Sequence, residues 1–215
     1  MNSTAKPIPL GRSMLREHRH VCAFFSSAAE EYDALLPFIC DGINCGERAY
    51  HVLPAQYREN HLMRLRNAGI DVEQTMKSRQ LEVARPEDTY FKTGRFNKDA
   101  MLVLIQDALK SGADLGFPLT RMIAHAEAAV DDWKSGIEWV EYEIQLNSVL
   151  PNYDDAVICT FDANMLTAPH AVDILRTHPM VLIGGVLVEN NFFTRPQDFI
   201  REVQARTGPT QPYRA

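Results

Sequence analysis

Residues 20–32 read HVCAFFSSAAEEY, a six-residue apolar run followed by a serine pair and two glutamates. A short apolar run with β-branched and aromatic residues is typical of a strand that is buried on both faces. Ser26 or Ser27 is placed to cap a following helix, and Glu30 and Glu31 favour the positive end of its dipole. The stretch therefore predicts a strand, a tight turn and a helix in direct succession.

The same alternation continues along the chain. Further strand-like apolar runs occupy residues 49–53, 119–125, 156–161 and 180–183. Helical patterns occupy residues 28–45, 57–68, 98–110 (with Asn97 as cap) and 133–150. A hairpin near Gly184 and Gly185 and a short helix over residues 196–206 follow. Strands that alternate with helices indicate βαβ units, so we expect an α/β fold with a mainly parallel sheet.

The chain has 215 residues, which is the size of one domain. We expect a flexible N-terminal tail at residues 1–18, a domain over residues 19–206 and a C-terminal tail at residues 207–215. No apolar run approaches the length of about 20 residues that spans a bilayer, and the N-terminus lacks the apolar segment of a signal peptide. The sequence therefore predicts a cytoplasmic protein with reduced cysteines and no membrane contact.

The charge balance is acidic, with 28 Asp and Glu residues against 22 Lys and Arg residues and a net charge of −6. A protein that binds nucleic acid directly needs a basic face to neutralise phosphates. The composition therefore predicts no direct nucleic-acid binding, and any link to DNA runs through a partner protein.

Polar residues follow the predicted strands, where an open α/β sheet binds its ligands. These residues are Ser26, Ser27, Glu31, Glu127 and Asp162. The first of these turns is not a phosphate loop, because it has no glycine to bring backbone N–H groups to phosphate oxygens and no lysine. We therefore expect neither ATP hydrolysis nor a nucleotide cofactor.

Eight segments occur in one order along the chain. They are HVCAFF with EEY, PFICDGINCGERAYHV, NAGIDV, the TY of EDTYFKTGRFN, LTRMIAHAE, WVEYEIQLN, AVICTFD and the HP of RTHPMVLIGG. This ordered set resembles the MEDS domain, the methanogen/methylotroph sensory domain, from about residue 20 to residue 193. The GERAYHV segment is also similar to the strand that follows the phosphate-loop helix in KaiC-type ATPases.

The resemblance implies a three-layer fold like that of RecA and KaiC, with a degenerate phosphate loop. It implies a non-catalytic sensory domain that binds a small organic ligand, such as a hydrocarbon derivative, in the former nucleotide cleft. Its output would pass to a separate regulatory protein such as a kinase or a transcription factor. RecA relatives self-associate, so the resemblance is also compatible with a homo-oligomer.

Two further residues match the family pattern and join the candidate ligand contacts. Tyr90 follows a turn-rich stretch that would form a loop over the strand ends. Arg121 lies inside a predicted buried strand, where its guanidinium needs a carboxylate partner. Glu143 and Asp162 are the candidate partners, so a structural ion pair is an alternative to ligand contact.

A thiol or metal site is a separate hypothesis. His20 and Cys22 share one face of the first strand, and a RecA-like strand order would bring Cys159 beside Cys22. His178 is a further candidate ligand. No CxxC or HxxxH spacing supports the hypothesis, and free cysteines are commonly small buried hydrophobes. The sequence therefore predicts no metal, and these four residues with Glu143 stay structural or redox candidates.

Two alternatives to a ligand-binding sensor remain. A ligand-free scaffold for a kinase or a transcription regulator would have its cleft filled by side chains. A nucleotide-binding or hydrolytic enzyme on the same scaffold would use Cys22 or Cys159 as nucleophile, or Glu127 with Asp162 as an acid/base pair. No catalytic motif supports the enzyme, so the sequence predicts a protein that is not one.

Overall fold

The computed structural model describes residues 6–92, 94–127 and 137–206. The strands are β1 (Ile8–Leu10), β2 (Ser13–Leu15), β3 (His20–Phe25), β4 (Arg48–Val52), β5 (Leu81–Ala84), β6 (Thr120–His125), β7 (Ala156–Asp162), β8 (Met180–Ile183) and β9 (Val186–Glu189). The helices are α1 (Ala28–Asn44), α2 (Ala55–Asn67), α3 (Val72–Lys77), α4 (Lys98–Asp114), α5 (Ile137–Val149), α6 (Ala168–Thr177) and α7 (Pro196–Arg206). Among these helices, none is long and apolar enough to cross a bilayer.

Seven strands form the central sheet, in the order β5–β4–β6–β7–β3–β8–β9. Neighbouring strands are parallel, except that β9 runs antiparallel to β8 in a hairpin. Strands β3 and β7 lie side by side, and their register places Cys22 opposite Cys159. The predicted mainly parallel sheet is therefore confirmed.

The sheet is the middle of three layers because successive strand residues point to opposite faces. Cys22 and Met122 point to one face, where α4, α5, α6 and α7 pack. Val21 and Ile123 point to the other face, where α1, α2 and α3 pack together with the β1–β2 hairpin. Each face thus buries its own apolar cluster, and the three-layer α/β fold is confirmed.

Apart from the two strands of the N-terminal hairpin, the sequence missed three of the described elements and placed the others to within a few residues. The helix caps that it named, Ser27 and Asn97, accept hydrogen bonds from the first turns of α1 and α4. The missed elements are α3, with six residues, β5, a half-buried strand at the sheet edge, and α6. The predicted start of the helix at residue 133 lies outside the described residues.

The prediction of a flexible N-terminal tail is wrong for residues 8–15, which form the β1–β2 hairpin. Ile8, Leu10 and Leu15 are buried against the face that carries α1. The hairpin turns at Gly11, whose φ of +58° suits glycine, and a Cβ there would meet the carbonyl oxygen of Gly185 at 2.5 Å. Three-residue strands offer too few apolar positions for the sequence period to reveal them.

Candidate functional site

A cleft of about 210 Å³ opens at the carboxyl edge of the sheet, beyond the ends of β3, β6 and β7. Carboxyl ends of parallel strands meet at one edge, which is why side chains from three strands converge here. Helices α1 and α2 supply the remaining walls. The lining side chains are Phe25, Ser27, Ala28, Glu31, Tyr32, Gln56, Tyr57, Asn60, His125, Glu127, Thr160, Phe161 and Asp162. We call this site the cleft.

The polar groups of the turn between β3 and α1 form hydrogen bonds with one another. Ser27 caps α1 by accepting a hydrogen bond from the backbone N–H of Glu30 at 3.3 Å. The Glu30 carboxylate in turn accepts from the backbone N–H of Ser26 at 2.8 Å and from its hydroxyl at 2.7 Å. These two hydrogen bonds hold the pKa of Glu30 below its usual value. A backbone donor that would attract an anion at this helix start is therefore already bound to a carboxylate.

Three ionisable side chains form a row in the cleft, which we call the trio: Glu31, His125 and Glu127. His125 Nε2 lies 3.0 Å from Glu31 Oε1, and His125 Nδ1 lies 2.8 Å from Glu127 Oε1. Burial lowers the pKa of His125, but the hydrogen bonds to Glu127 and Glu31 outweigh it and raise the pKa to about 10. The imidazole is therefore protonated at pH 7, and with two carboxylates the trio carries one net negative charge.

Glu127 has one oxygen left over. Its Oε1 bonds His125, while its Oε2 is buried and has no hydrogen-bond partner among the described residues. Asp162, on the neighbouring strand, differs because its carboxylate accepts from the backbone N–H and the amide of Asn164, at 2.8 and 2.9 Å. Glu127 Oε2 is therefore an acceptor that none of the described residues satisfies.

A hydrogen-bonded chain runs from the core to Tyr32 on the cleft wall. His51 Nδ1 lies 2.9 Å from His61 Nε2, and His61 Nδ1 lies 2.8 Å from the Tyr32 hydroxyl. Burial lowers the pKa of His61 to about 4 and that of His51 well below its usual value. Both rings are therefore neutral at pH 7, and the chain fixes the position of the tyrosine.

The structure brings four of the predicted ligand contacts together: Ser27, Glu31, Glu127 and Asp162 all line the cleft. Ser26 lies beside it, exposed. Tyr90 is placed elsewhere, since it is buried and packs against Phe96 with 6.4 Å between ring centroids. The sequence missed His125, because it lies within the predicted strand at residues 119–125 rather than after it.

Arg121 lies near the amino end of β6 and lines a second cavity, of about 420 Å³, away from the cleft. The prediction that Arg121 pairs with Glu143 or Asp162 is wrong. The guanidinium bonds Asp41 at 2.7 Å, Glu47 at 2.5 Å and the backbone carbonyl of Phe38. The side chain points to the α1 face of the sheet, whereas Glu143 belongs to α5 on the opposite face, so the two cannot meet.

A second set of predicted residues meets in the interior, between the sheet and α5. His20, Glu143, Cys159 and His178 are all buried, and one ligand atom from each lies within 4.8 Å of the others. We call this set the buried cluster. Cys22 is not part of it, because its Sγ lies 3.6 Å from the backbone carbonyl of Met180. The metal hypothesis thus named three of these four residues, His20, Cys159 and His178. Its fourth residue was Cys22, whereas the fourth member in the structure is Glu143.

Comparison with known proteins adds a family and a relative. The family model described as MEDS, MEthanogen/methylotroph, DcmR Sensory domain, matches residues 19–179. The transcriptional repressor DcmR of Methylorubrum extorquens (strain DSM 6343 / CIP 106787 / DM4) is 24% identical over 164 residues. That match covers 75% of this chain and 58% of the repressor, so the chain spans somewhat more than half of the relative's length.

Proposed function

The chain belongs to the MEDS family of sensory domains and has a regulatory, non-enzymatic role; from this premise we propose that it binds a small organic molecule in the cleft. Binding would change its contact with a separate regulator of transcription. The observation that carries the proposal is the Oε2 of Glu127, which is buried in an open cleft and has no hydrogen-bond partner within residues 6–92, 94–127 and 137–206. A buried acceptor without a partner destabilises the folded protein. A ligand that donates a hydrogen bond to it removes that destabilisation.

The cleft favours a ligand of a particular chemistry. A volume of about 210 Å³ suits a molecule of a few heavy atoms, and Phe25, Ala28 and Phe161 offer it apolar contact. Glu127 Oε2 calls for a donor, and the net negative charge of the trio favours a neutral or cationic group over an anion. We therefore propose a small alcohol, amine or related hydrocarbon derivative as the ligand class.

Anionic and phosphorylated ligands fit the same walls poorly. Glu30 already occupies the backbone N–H of Ser26, where a phosphate would otherwise bind at the start of α1. The carboxylates of Glu31, Glu127 and Asp162 are among the groups that line the site. These features favour an organic ligand over a nucleotide. The open volume of the cleft also favours a sensor over a ligand-free scaffold.

The proposal that the chain acts on a regulator of transcription rests on its similarity to the repressor DcmR. The matched protein is a transcriptional repressor, and the chain itself is acidic, with a net charge of −6. An acidic domain that influences transcription is best suited to act on a DNA-binding protein rather than on DNA. A regulator of transcription is thus the proposed recipient of the signal.

A thermal-shift screen followed by calorimetry tests the ligand. The panel contains short-chain alcohols, short-chain amines, acetate and Mg²⁺–ATP. We expect alcohols or amines to raise the melting temperature and Glu127→Gln to weaken their binding about tenfold or more, since hydrogen bonds to charged groups contribute roughly 1.5–3 kcal/mol. Asp33→Asn, an exposed change on α1, is the matched control and should bind as wild type does.

Two outcomes contradict the proposal. Stabilisation by Mg²⁺–ATP alone would assign the cleft to nucleotides. No stabilisation by any compound of the panel would favour the scaffold. Circular dichroism of the Glu127→Gln variant distinguishes a loss of binding from a loss of fold.

A further inference from the structure

We propose that the buried cluster is a tetrahedral binding site for a divalent transition metal, with zinc as the best match. Its four residues come from β3, α5, β7 and the residue that follows α6. They are His20, Glu143, Cys159 and His178, with relative exposures of 2, 1, 3 and 0%. The site is separate from the cleft, and the proposal does not depend on the ligand that the cleft binds.

The hydrogen bonds of His178 fix which ring nitrogen is free. Its Nδ1 lies 2.8 Å from the backbone carbonyl of Ile174, which can only accept, so Nδ1 carries the proton. The Thr177 hydroxyl also donates to that carbonyl, at 2.8 Å. The neutral ring therefore presents a bare lone pair on Nε2, and this atom has no hydrogen-bond partner among the described residues.

His20 is held in the same way through an amide. The Asn147 Nδ2 donates to the backbone carbonyls of Glu143 and Thr177, at 2.8 and 2.6 Å, which fixes the orientation of the amide. Asn147 Oδ1 then faces His20 Nδ1 at 3.0 Å and accepts a hydrogen bond from its N–H. His20 Nε2 then faces the cluster as a second acceptor, and its hydrogen-bond partner there is the Cys159 thiol, with Sγ 3.8 Å away. Histidines that bind a metal almost always have the other ring N–H bonded to an oxygen in this manner.

The free atoms face one another. Glu143 Oε2 lies 3.3 Å from His20 Nε2 and 3.5 Å from His178 Nε2, and Cys159 Sγ lies 3.8 Å from His20 Nε2. Glu143 Oε2 makes no hydrogen bond to a described residue despite these distances. Lone pairs on two nitrogens and an oxygen thus converge in a buried space, an arrangement that is costly unless a cation lies between them.

The spacing suits a small tetrahedral ion. Zinc lies about 2.0–2.3 Å from nitrogen, oxygen and sulfur ligands, so ligand atoms on a tetrahedron stand roughly 3.3–3.8 Å apart. The distances from Glu143 Oε2 to the two Nε2 atoms, 3.3 and 3.5 Å, and from Cys159 Sγ to His20 Nε2, 3.8 Å, are of that size. All four donor atoms lie within 4.8 Å of one another, so they must move inward to complete the tetrahedron.

The donor types and their charge point to the same ion. Two neutral imidazoles, one thiolate and one carboxylate form an N₂SO set, a combination of ligands that zinc accepts. A divalent ion bound to one thiolate and one carboxylate leaves the site with no net charge, which favours burial. Coordination releases the Cys159 proton to solvent. With four protein ligands the site is closed, so its role is structural: it fastens α5 and the end of α6 to the sheet.

Metal analysis of the wild-type protein tests the proposal directly. The full chain is purified without a histidine tag or a chelator, and elemental analysis should find about one zinc per chain. Replacement by Co²⁺ should give the intense visible bands of a tetrahedral site and a near-ultraviolet band of sulfur-to-cobalt charge transfer. Protein that binds neither Zn²⁺ nor Co²⁺ stoichiometrically would overturn the proposal and leave a metal-free hydrogen-bonded cluster.

Two cysteine variants supply a matched pair, because Cys22 and Cys159 are opposite each other in adjacent strands and equally buried. Cys159→Ser should abolish the charge-transfer band and weaken Co²⁺ binding more than the roughly 10–100-fold that loss of a residue behind a ligand costs. Cys22→Ser should keep both. Equal behaviour of the two variants would contradict the assignment of Cys159. If Cys159→Ser does not fold, the wild-type Co²⁺ spectrum still decides whether sulfur binds the metal.

Discussion

Among the residues that the structure describes, histidine and glutamate meet at two sites, the cleft and the buried cluster. In the cleft, both ring nitrogens of His125 face carboxylates, so the ring holds two protons and the pKa rises to about 10. In the buried cluster, each Nδ1 faces a carbonyl or amide oxygen, so His20 and His178 direct Nε2 into the cluster as an acceptor. The same two residue types thus form an ion pair at one site and a set of metal ligands at the other.

The difference lies in the groups behind the histidines rather than in the histidines. A carboxylate on each side stabilises the imidazolium, whereas a neutral oxygen on one side fixes a tautomer and leaves the other nitrogen free to coordinate. Access follows the same division: the trio lines an open cleft, and the buried cluster is sealed from solvent. The first site is suited to a ligand that exchanges and the second to an ion that stays.

The largest effect that separates the two sites is stabilisation by zinc. At a free zinc concentration about 1,000 times the dissociation constant, binding to the native state alone should raise the free energy of unfolding by about 4 kcal/mol. Urea unfolding in a zinc buffer and in its chelated counterpart measures this increment. Cys159→Ser should remove the increment, because the variant loses one of the four ligands.

Glu127→Gln is the matched control for that experiment, since it changes the cleft and leaves the buried cluster intact. It should keep the full increment. An increment that shrinks in Glu127→Gln but not in Cys159→Ser would place the metal in the cleft and break the comparison.

The sequence predicted the cleft better than the buried cluster, for a physical reason. Parallel strands bring their carboxyl ends to one edge, so Ser27, Glu127 and Asp162 followed from strand ends alone. His125 escaped because it lies inside the apolar run at residues 119–125, whereas Asp162 follows the run at residues 156–161. The hairpin at residues 8–15 escaped because its strands have three residues each.

The buried cluster had no comparable signal, because its residues come from four elements and share no sequence spacing. Strand adjacency predicted that Cys159 lies beside Cys22, which the register confirms. Glu143 rather than Cys22 completes the cluster because of the way α5 packs on the sheet. The order of the strands does not predict how a helix packs. The prediction of the Arg121 partner failed for a similar reason. The face of β6 to which Arg121 points determines whether its partner is Asp41 or Glu143.

A more gradual effect, spread over the range from pH 6.5 to about 10, is the pH dependence that the trio imposes. The pKa of His125 is raised from 6.5 to about 10 on folding, so its contribution to stability is complete below pH 6.5 and is lost as the pH rises through 10. Between these values the folded state binds more protons than the unfolded state. The free energy of unfolding should therefore fall with pH, by at most about 1.4 kcal/mol per pH unit from this group.

Urea unfolding between pH 6.5 and 9.5 measures that slope as a difference between variants. Glu127→Gln removes one of the two carboxylates that hold the His125 proton, so its slope should be shallower than that of wild type. Asp33→Asn, which leaves the trio untouched, should reproduce the wild-type slope. Parallel curves for wild type and Glu127→Gln would mean that His125 is not held as an imidazolium.

The smallest expected effect concerns Ser27, which lines the cleft and also caps α1. Ser27→Ala should lower the free energy of unfolding by about 1 kcal/mol, because the backbone N–H of Glu30 loses its acceptor, while Ser27→Gly should cost only a few tenths. Urea unfolding of the two variants measures the difference, and neither should change Co²⁺ binding. If alanine and glycine cost the same, the hydroxyl does not act as a cap, and Ser27 would then belong with Glu127 among the groups that the cleft offers to its ligand.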